Sequence, residues 1–114
     1  MTNEELVAHL KDLGLRIEIL EPLPGVRFIV ARDFLIPHGP LYAQRRDVGI
    51  PWQPLLPYVA PSSIHVRPLV VPMGQRNSQA SQLGPDWQYL SRVLRGQPSP
   101  AAWVVHMNTV LSEL

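Results

Sequence analysis

The apolar and polar positions at the start of the chain follow the spacing of an amphipathic helix. Its apolar residues recur three and four positions apart: Leu6, Val7, Leu10 and Leu13. Thr2 followed by Glu5 fits a capping box, because the Thr hydroxyl accepts a hydrogen bond from the first turn and the Glu reaches back to the cap. Gly14 is suited to end such a helix. We therefore expect a helix over residues 3–13.

The pattern then changes to a period of two, which is typical of β-strands. Residues 15–20 alternate between apolar and polar side chains. Turn residues at 21–25 and a second apolar run at 26–31 complete a predicted hairpin. Weaker strand patterns follow at 42–50 and 63–67. The sequence thus predicts four short strands.

The other segments are predicted to be loops and helices. Four prolines between positions 51 and 61 leave no room for the hydrogen bonds of a strand ladder. Small and polar residues at 72–86 indicate an exposed loop. Residues 87–94 favour a short helix after Gly-Pro-Asp, and Ser99 followed by Pro100 starts a last helix that runs to the end of the chain.

This order of elements predicts the fold class. Strands in one block with helices at both ends favour an α+β fold. We expect a four-stranded antiparallel meander with an N-terminal helix and C-terminal helices, in a single domain over residues 1–114.

The composition excludes several kinds of chemistry. The 114 residues include 13 prolines and no cysteine. Disulfides, thiolate metal sites and thiol nucleophiles are therefore excluded. No apolar run reaches the roughly 20 residues that cross a bilayer, and the first residues are too acidic for a secretory signal. We expect a cytoplasmic protein that does not bind membranes.

Two segments resemble the ubiquitin-conjugating enzymes and their bacterial relatives. Those enzymes carry a Tyr-Pro-x-x-Pro-Pro element before a strand. In this chain Pro57 and Pro61 hold the matching places, while Leu56 and Ala60 replace the Tyr and one proline.

The second segment lies further along the chain. Trp87-Gln88-Tyr89-Leu90-Ser91-Arg92 is similar to the Trp-to-Ser-Arg segment of a bacterial group of ubiquitin-conjugating-like proteins, and residues 34–39 resemble the region before the third strand of that group. The resemblance covers roughly residues 15–114 and implies the ubiquitin-conjugating fold. It also implies that Trp87, Ser91 and Arg92 frame a cleft, and Tyr89 is a further aromatic candidate for binding.

The chain departs from this family at the reacting residue. Ubiquitin conjugation proceeds through a cysteine thioester, and this chain has no cysteine. Val93 also stands where the bacterial group is expected to have a histidine. By the resemblance, the vacant or replaced nucleophile position lies near Ser78, Ala80 or Ser81. The protein is then either a natural non-catalytic variant or a conjugating enzyme whose cysteine was replaced.

The histidines and serines offer little other chemistry. The four histidines lack the helical spacing and the neighbouring acids of a metal site, so we expect neither metal nor cofactor. His65 is predicted to be a structural residue in a strand. His106, one position from the apolar stripe of the last helix, is a candidate proton donor or ligand. No nucleophile elbow and no glycine-rich phosphate loop occurs.

Arginines define the alternative function. Only three acids lie between positions 22 and 112, whereas eight arginines do: Arg27, Arg32, Arg45, Arg46, Arg67, Arg76, Arg92 and Arg95. A small basic adaptor that binds nucleic acid or an anionic surface is one hypothesis, although few aromatic residues interleave with these arginines. The leading hypothesis is a non-catalytic ubiquitin-conjugating-like module. It would bind a ubiquitin-like protein or an activating-enzyme-like partner in a bacterial modification system.

Overall fold

The computed structural model describes residues 1–52, 63–94 and 96–114, and the structural statements below concern those residues. Two helices and six strands follow one another along the chain. Their bounds are α1 (Asn3–Asp12), β1 (Arg16–Leu23), β2 (Val26–Leu35), β3 (Arg45–Pro51), β4 (Ile64–Arg67), β5 (Ser78–Ser81), β6 (Gly84–Leu90) and α2 (Pro100–Ser112).

Both helices begin where local sequence signals place them. The Thr2 side chain accepts a hydrogen bond from the Glu5 backbone N–H at 3.0 Å, so the predicted cap of α1 is confirmed. The Ser99 hydroxyl accepts from the Ala102 N–H at 3.0 Å, with Pro100 in the first turn of α2. Gly14 follows α1 with φ +86°, a backbone conformation that favours glycine.

The strands form one antiparallel sheet in the order β1-β2-β3-β4-β6-β5. The predicted four-stranded meander is therefore wrong. β1 to β4 do form a meander, but the chain then adds a hairpin whose second strand, β6, pairs with β4. The predicted exposed loop at 72–86 contains β5, and one helix rather than several follows the sheet.

The predicted short helix at 87–94 is also wrong, because residues 87–90 lie in the strand β6, and this error has a physical cause. On one face of β6 Trp87 is buried, and on the other Gln88 and Leu90 are buried. A strand that is buried on both faces lacks the apolar–polar alternation that marks a half-exposed strand. The four residues of β5 have no apolar alternation at all, and sequence pattern alone does not identify such a strand.

One face of the sheet, here called the helix face, carries the main core. α1 and α2 pack on it with apolar side chains from five strands. The most buried members include Leu6, Leu10, Ile29, Val48, Ile50, Ile64, Val66, Leu90, Trp103, Met107 and Leu111. The buried Gln88 amide also lies on this face. It accepts a hydrogen bond from the Val70 N–H at 3.1 Å and donates to the Val71 carbonyl at 2.8 Å, so its burial is compensated.

The opposite face, here called the bare face, carries no helix among the described residues. A small apolar cluster of Phe28, Val30 and Trp87 lies there. Leu83, in the turn between β5 and β6, folds over Gly49: a Cβ atom added at that glycine would lie 2.8 Å from the Leu83 Cδ1. The hairpin turn thus covers part of the bare face. In the described part of the chain, no helix is long and apolar enough to cross a membrane.

Candidate functional site

A groove lies between α2 and the chain that leaves the sheet after β6. Its volume is about 730 Å³. We call it the α2 groove, and its lining residues are Ser91, Arg92, Val93, Leu94, Ala102, Val105, His106, Thr109, Val110 and Glu113. Segment 91–94 forms one wall and successive turns of α2 form the other.

Backbone contacts hold the first wall in place. The Ser91 N–H donates to the Asn77 carbonyl at 3.1 Å, which ties the end of β6 to the start of the β5–β6 hairpin. The Arg92 guanidinium donates to the Ser91 carbonyl at 2.8 Å. On the helix side, the His106 ring meets the Trp103 indole edge to face, with 5.6 Å between the ring centroids. The groove is therefore anchored at one end by the sheet and at the other by the core.

Apolar side chains are unusually exposed in this groove. Val93 is 79% exposed and Val105 is 63% exposed. Single exposed valines are common on protein surfaces, but two that line one concavity form a site at which a partner gains by burying them. Arg92 and Glu113 add one charge of each sign. The groove is suited to a contact that combines apolar burial with polar pairing.

The structure brings together only part of the predicted site. Ser91, Arg92 and His106 all line the α2 groove. Trp87 and Tyr89 lie on the bare face instead, because alternate residues of a strand point to opposite faces. Trp87 is 3% exposed and lies under the Arg67 guanidinium at 5.1 Å, so it supports the sheet rather than offering an open aromatic contact.

The predicted nucleophile region lies on β5, at the edge of the sheet. Ser78 is buried, and its hydroxyl donates to the Pro72 carbonyl at 3.3 Å. Ala80 is exposed and Ser81 is half-buried. Position 80 is therefore the most accessible of the three. Residues 56–61, which carry the proline element, lie outside the described residues.

The sequence does not predict the contact between His65 and Ser81. The His65 Nδ1 atom lies 2.7 Å from the Ser81 Oγ atom, which also accepts from the Leu83 N–H at 3.0 Å. The His65 ring meets Phe28 and Tyr89 edge to face, with centroid distances of 4.7 and 5.1 Å. The pairing depends on the β4–β6–β5 strand order, and no local sequence signal reports that order.

Burial determines the chemistry of this pair. Desolvation lowers the pKa of His65 to about 4, so the ring is neutral at neutral pH and is a weak proton acceptor. Activation of a serine needs a base with a pKa closer to the working pH. The His65–Ser81 contact therefore fastens the hairpin to the bare face, and the predicted structural role of His65 is supported by this geometry.

Ion pairs occupy several of the arginines that suggested an anionic partner. On the bare face, Arg32 bonds Glu18 at 3.2 Å and Asp47 at 2.9 Å, and Arg67 bonds Asp47 at 2.7 Å. We call these four residues the charge ladder. Arg16 pairs with Asp33 and Arg27 with Glu21 at the surface. This pairing reduces the positive potential that nucleic acid would need.

The contacts within the charge ladder shift the pKa values of three of its members. The hydrogen bond from Arg32 lowers the pKa of Glu18. Partial burial acts to raise the pKa of Asp47, but hydrogen bonds from the Asp33 N–H, Arg67 and Arg32 outweigh it and lower that pKa. The hydrogen bond to Glu18 raises the pKa of Arg32. Glu18, Asp47 and Arg32 therefore stay charged at neutral pH.

Neither a metal site nor a comparison with known proteins assigns a function to this chain. Within residues 1–52, 63–94 and 96–114, no three histidine or acidic side chains are grouped so that they could hold a metal ion. No protein-family model, curated protein or solved structure matches this chain.

Proposed function

We propose that the protein is a non-catalytic protein-binding module and that the α2 groove is its contact surface. The observation that carries this proposal is the joint exposure of Val93 and Val105 in one concavity. Partner interfaces draw much of their binding energy from apolar side chains that become desolvated at the centre of the contact. Arg92 and Glu113 at the same groove provide the polar pairs that fix orientation.

A ubiquitin-like protein is the partner that we propose, in the cytoplasm of a bacterial cell. The support is the resemblance of the Trp87–Arg92 segment to bacterial ubiquitin-conjugating-like proteins, because this segment leads directly into the groove. The proposal does not depend on a four-stranded meander. The absence of cysteine from the chain argues for binding without thioester transfer.

Protein rather than nucleic acid is favoured by the charge pattern. Arg16, Arg27, Arg32 and Arg67 are paired with carboxylates. The α2 groove holds one arginine and one glutamate, so its charges nearly cancel. Binding should accordingly depend only weakly on salt, whereas phosphate contacts weaken steeply as salt is raised.

Calorimetric titration with ubiquitin as the probe tests this function. Val93→Asp and Val105→Asp each place a charge where the partner would bury an apolar group, and each should weaken binding by about tenfold or more. Tyr42→Asp is the matched control, since Tyr42 is 69% exposed and lies outside the groove. No heat of binding to ubiquitin, or equal weakening by the control, would contradict the proposal.

A further inference from the structure

We propose that β1 pairs, edge to edge, with β1 of a second copy of this chain, and that the two-fold axis passes between the Ile17 residues of the two copies. This inference is independent of the α2 groove and concerns assembly. It rests on the position of β1 in the sheet, on its exposed side chains and on the order of its charges.

β1 is one of the two edge strands of the sheet. No strand that the structure describes pairs with its outer side. Such an edge presents unpaired N–H and C=O groups, which are a template for another strand. β1 spans eight residues, twice the length of β5 at the other edge. It also exposes Ile19 and Leu23, at 44% and 51%.

Symmetry limits how two copies of β1 can pair. For antiparallel strands the two-fold axis is perpendicular to the sheet, so the helix face of one copy continues as the helix face of the other. Residues opposite each other must then share a face, so one residue of the strand must face its own copy, with the axis midway between the two. Each choice of that residue defines one register.

Charge distinguishes the registers centred on the first four residues of β1. An axis at Arg16 opposes two arginines, and an axis at Glu18 opposes two glutamates. An axis at Ile19 opposes Glu18 to Leu20. Like charges directly opposite each other are unfavourable, as is a charge against an apolar group.

Of these four axes, only the one at Ile17 makes every pair over residues 15–19 complementary. Arg16 then faces Glu18 of the other copy, twice by symmetry. Leu15 faces Ile19, also twice, and Ile17 faces itself. Leu15 and Ile17 already pack against the core of the helix face, so the second copy would extend that core and bury Ile19.

The existing contacts of the two charged residues leave them able to form these pairs. Glu18 receives one hydrogen bond from Arg32 at 3.2 Å, and a carboxylate can accept several. The Arg16–Asp33 pair is long, at 3.4 Å, and both side chains are more than 60% exposed. Exposed pairs of that kind contribute little and are readily exchanged.

Charge reversal tests the register. Sedimentation of the intact protein, from about 1 µM to about 1 mM, should show a concentration-dependent dimer. Arg16→Glu and Glu18→Arg should each weaken the dimer by about tenfold, because each places like charges opposite each other. The double variant R16E/E18R restores opposite charges across the axis and should recover most of the affinity. A chain that stays monomeric throughout, or a double variant that is no better than the single ones, overturns the proposal.

A cross-linking test does not depend on how well the charge variants fold. The chain has no cysteine, so a single introduced thiol reports one position. Residues that face each other in an antiparallel pair lie within the reach of a disulfide. Under oxidising conditions Ile17→Cys should form covalent dimers at about ten times the yield of Ile19→Cys, although Ile19 is the more exposed residue. Faster cross-linking at position 19 would refute the register.

Discussion

On the helix face of the sheet, the side chains that meet α1 and α2 are almost all apolar. On the bare face, a small apolar cluster is bordered by the charge ladder and by the His65–Ser81 contact. Both faces bury their central residues, but by different means. The helix face depends on apolar area and close packing, whereas the bare face depends on hydrogen bonds whose strength changes with protonation. The helix face should therefore contribute most of the packing stability, and the bare face should contribute most of the pH dependence of stability.

The largest expected difference between the faces is in the cost of a truncated leucine. Leu10→Ala removes a fully buried side chain from the helix face and should lower the free energy of unfolding by about 3 kcal/mol. Leu83→Ala is the matched change on the bare face, where the side chain is half-buried, and should cost about 1 kcal/mol. Urea denaturation measures both values. Equal costs would mean that the bare face is packed as tightly as the helix face.

The bare face should account for the pH dependence of stability above pH 4. Between pH 6.5 and about 4 the unfolded chain binds a proton at His65 that the folded chain does not, so stability is lost as pH falls. The full effect is about 3 kcal/mol. Urea denaturation at pH 7 and pH 4.5 measures it, and His65→Gln should remove most of the difference. A variant with the same pH profile as the parent would contradict this assignment.

The charge ladder should contribute less than either effect. Asp47→Asn removes the charge that bonds both Arg32 and Arg67, and we expect a loss of about 2 kcal/mol at pH 7. Because the folded pKa of Asp47 is lowered, its contribution is present above its unfolded pKa and is lost as pH falls through the folded value. Thermal unfolding at pH 7 and pH 3 tests both statements.

Asp33→Asn provides the control for this prediction. Asp33 pairs with Arg16 at the surface and has φ +54°, a conformation that asparagine also tolerates. The control should therefore cost less than about 0.5 kcal/mol. If both variants are equally unstable, the ladder has no special role.

The smallest expected effect on stability is at the α2 groove. Val105→Ala removes an exposed side chain from a helix and replaces it with a better helix former, so stability should rise by about 0.5 kcal/mol. The same change should weaken partner binding. A marked loss of stability in urea denaturation would show that Val105 serves the fold instead.

The sequence predicts the parts of this fold that depend on local chemistry. The Thr2 and Ser99 caps and the β1–β2 hairpin depend on residues close together in the chain, and all are present. β5 and β6 depend on non-local pairing. The burial of both faces of β6 hides its periodicity, and the polar sequence of β5 has none.

The sequence likewise indicates only part of the candidate site, because the rest depends on non-local strand pairing. Ser91, Arg92 and His106 converge because the chain leaves the sheet at Ser91 and α2 returns beside it. The family resemblance groups Trp87 and Tyr89 with Ser91 and Arg92, but strand β6 directs Trp87 and Tyr89 to the bare face. The contact between His65 and Ser81 requires the strand order, which the sequence does not contain in any local form.

The binding role of the α2 groove is tested most directly by mapping contacts with nuclear magnetic resonance. The isotope-labelled protein would be titrated with unlabelled ubiquitin while the backbone amide shifts are followed. The account predicts shifts at residues 91–94 and along the groove side of α2, with little change at His65, Tyr89 and the charge ladder. Shifts confined to the bare face, or none at saturating ubiquitin, would contradict it.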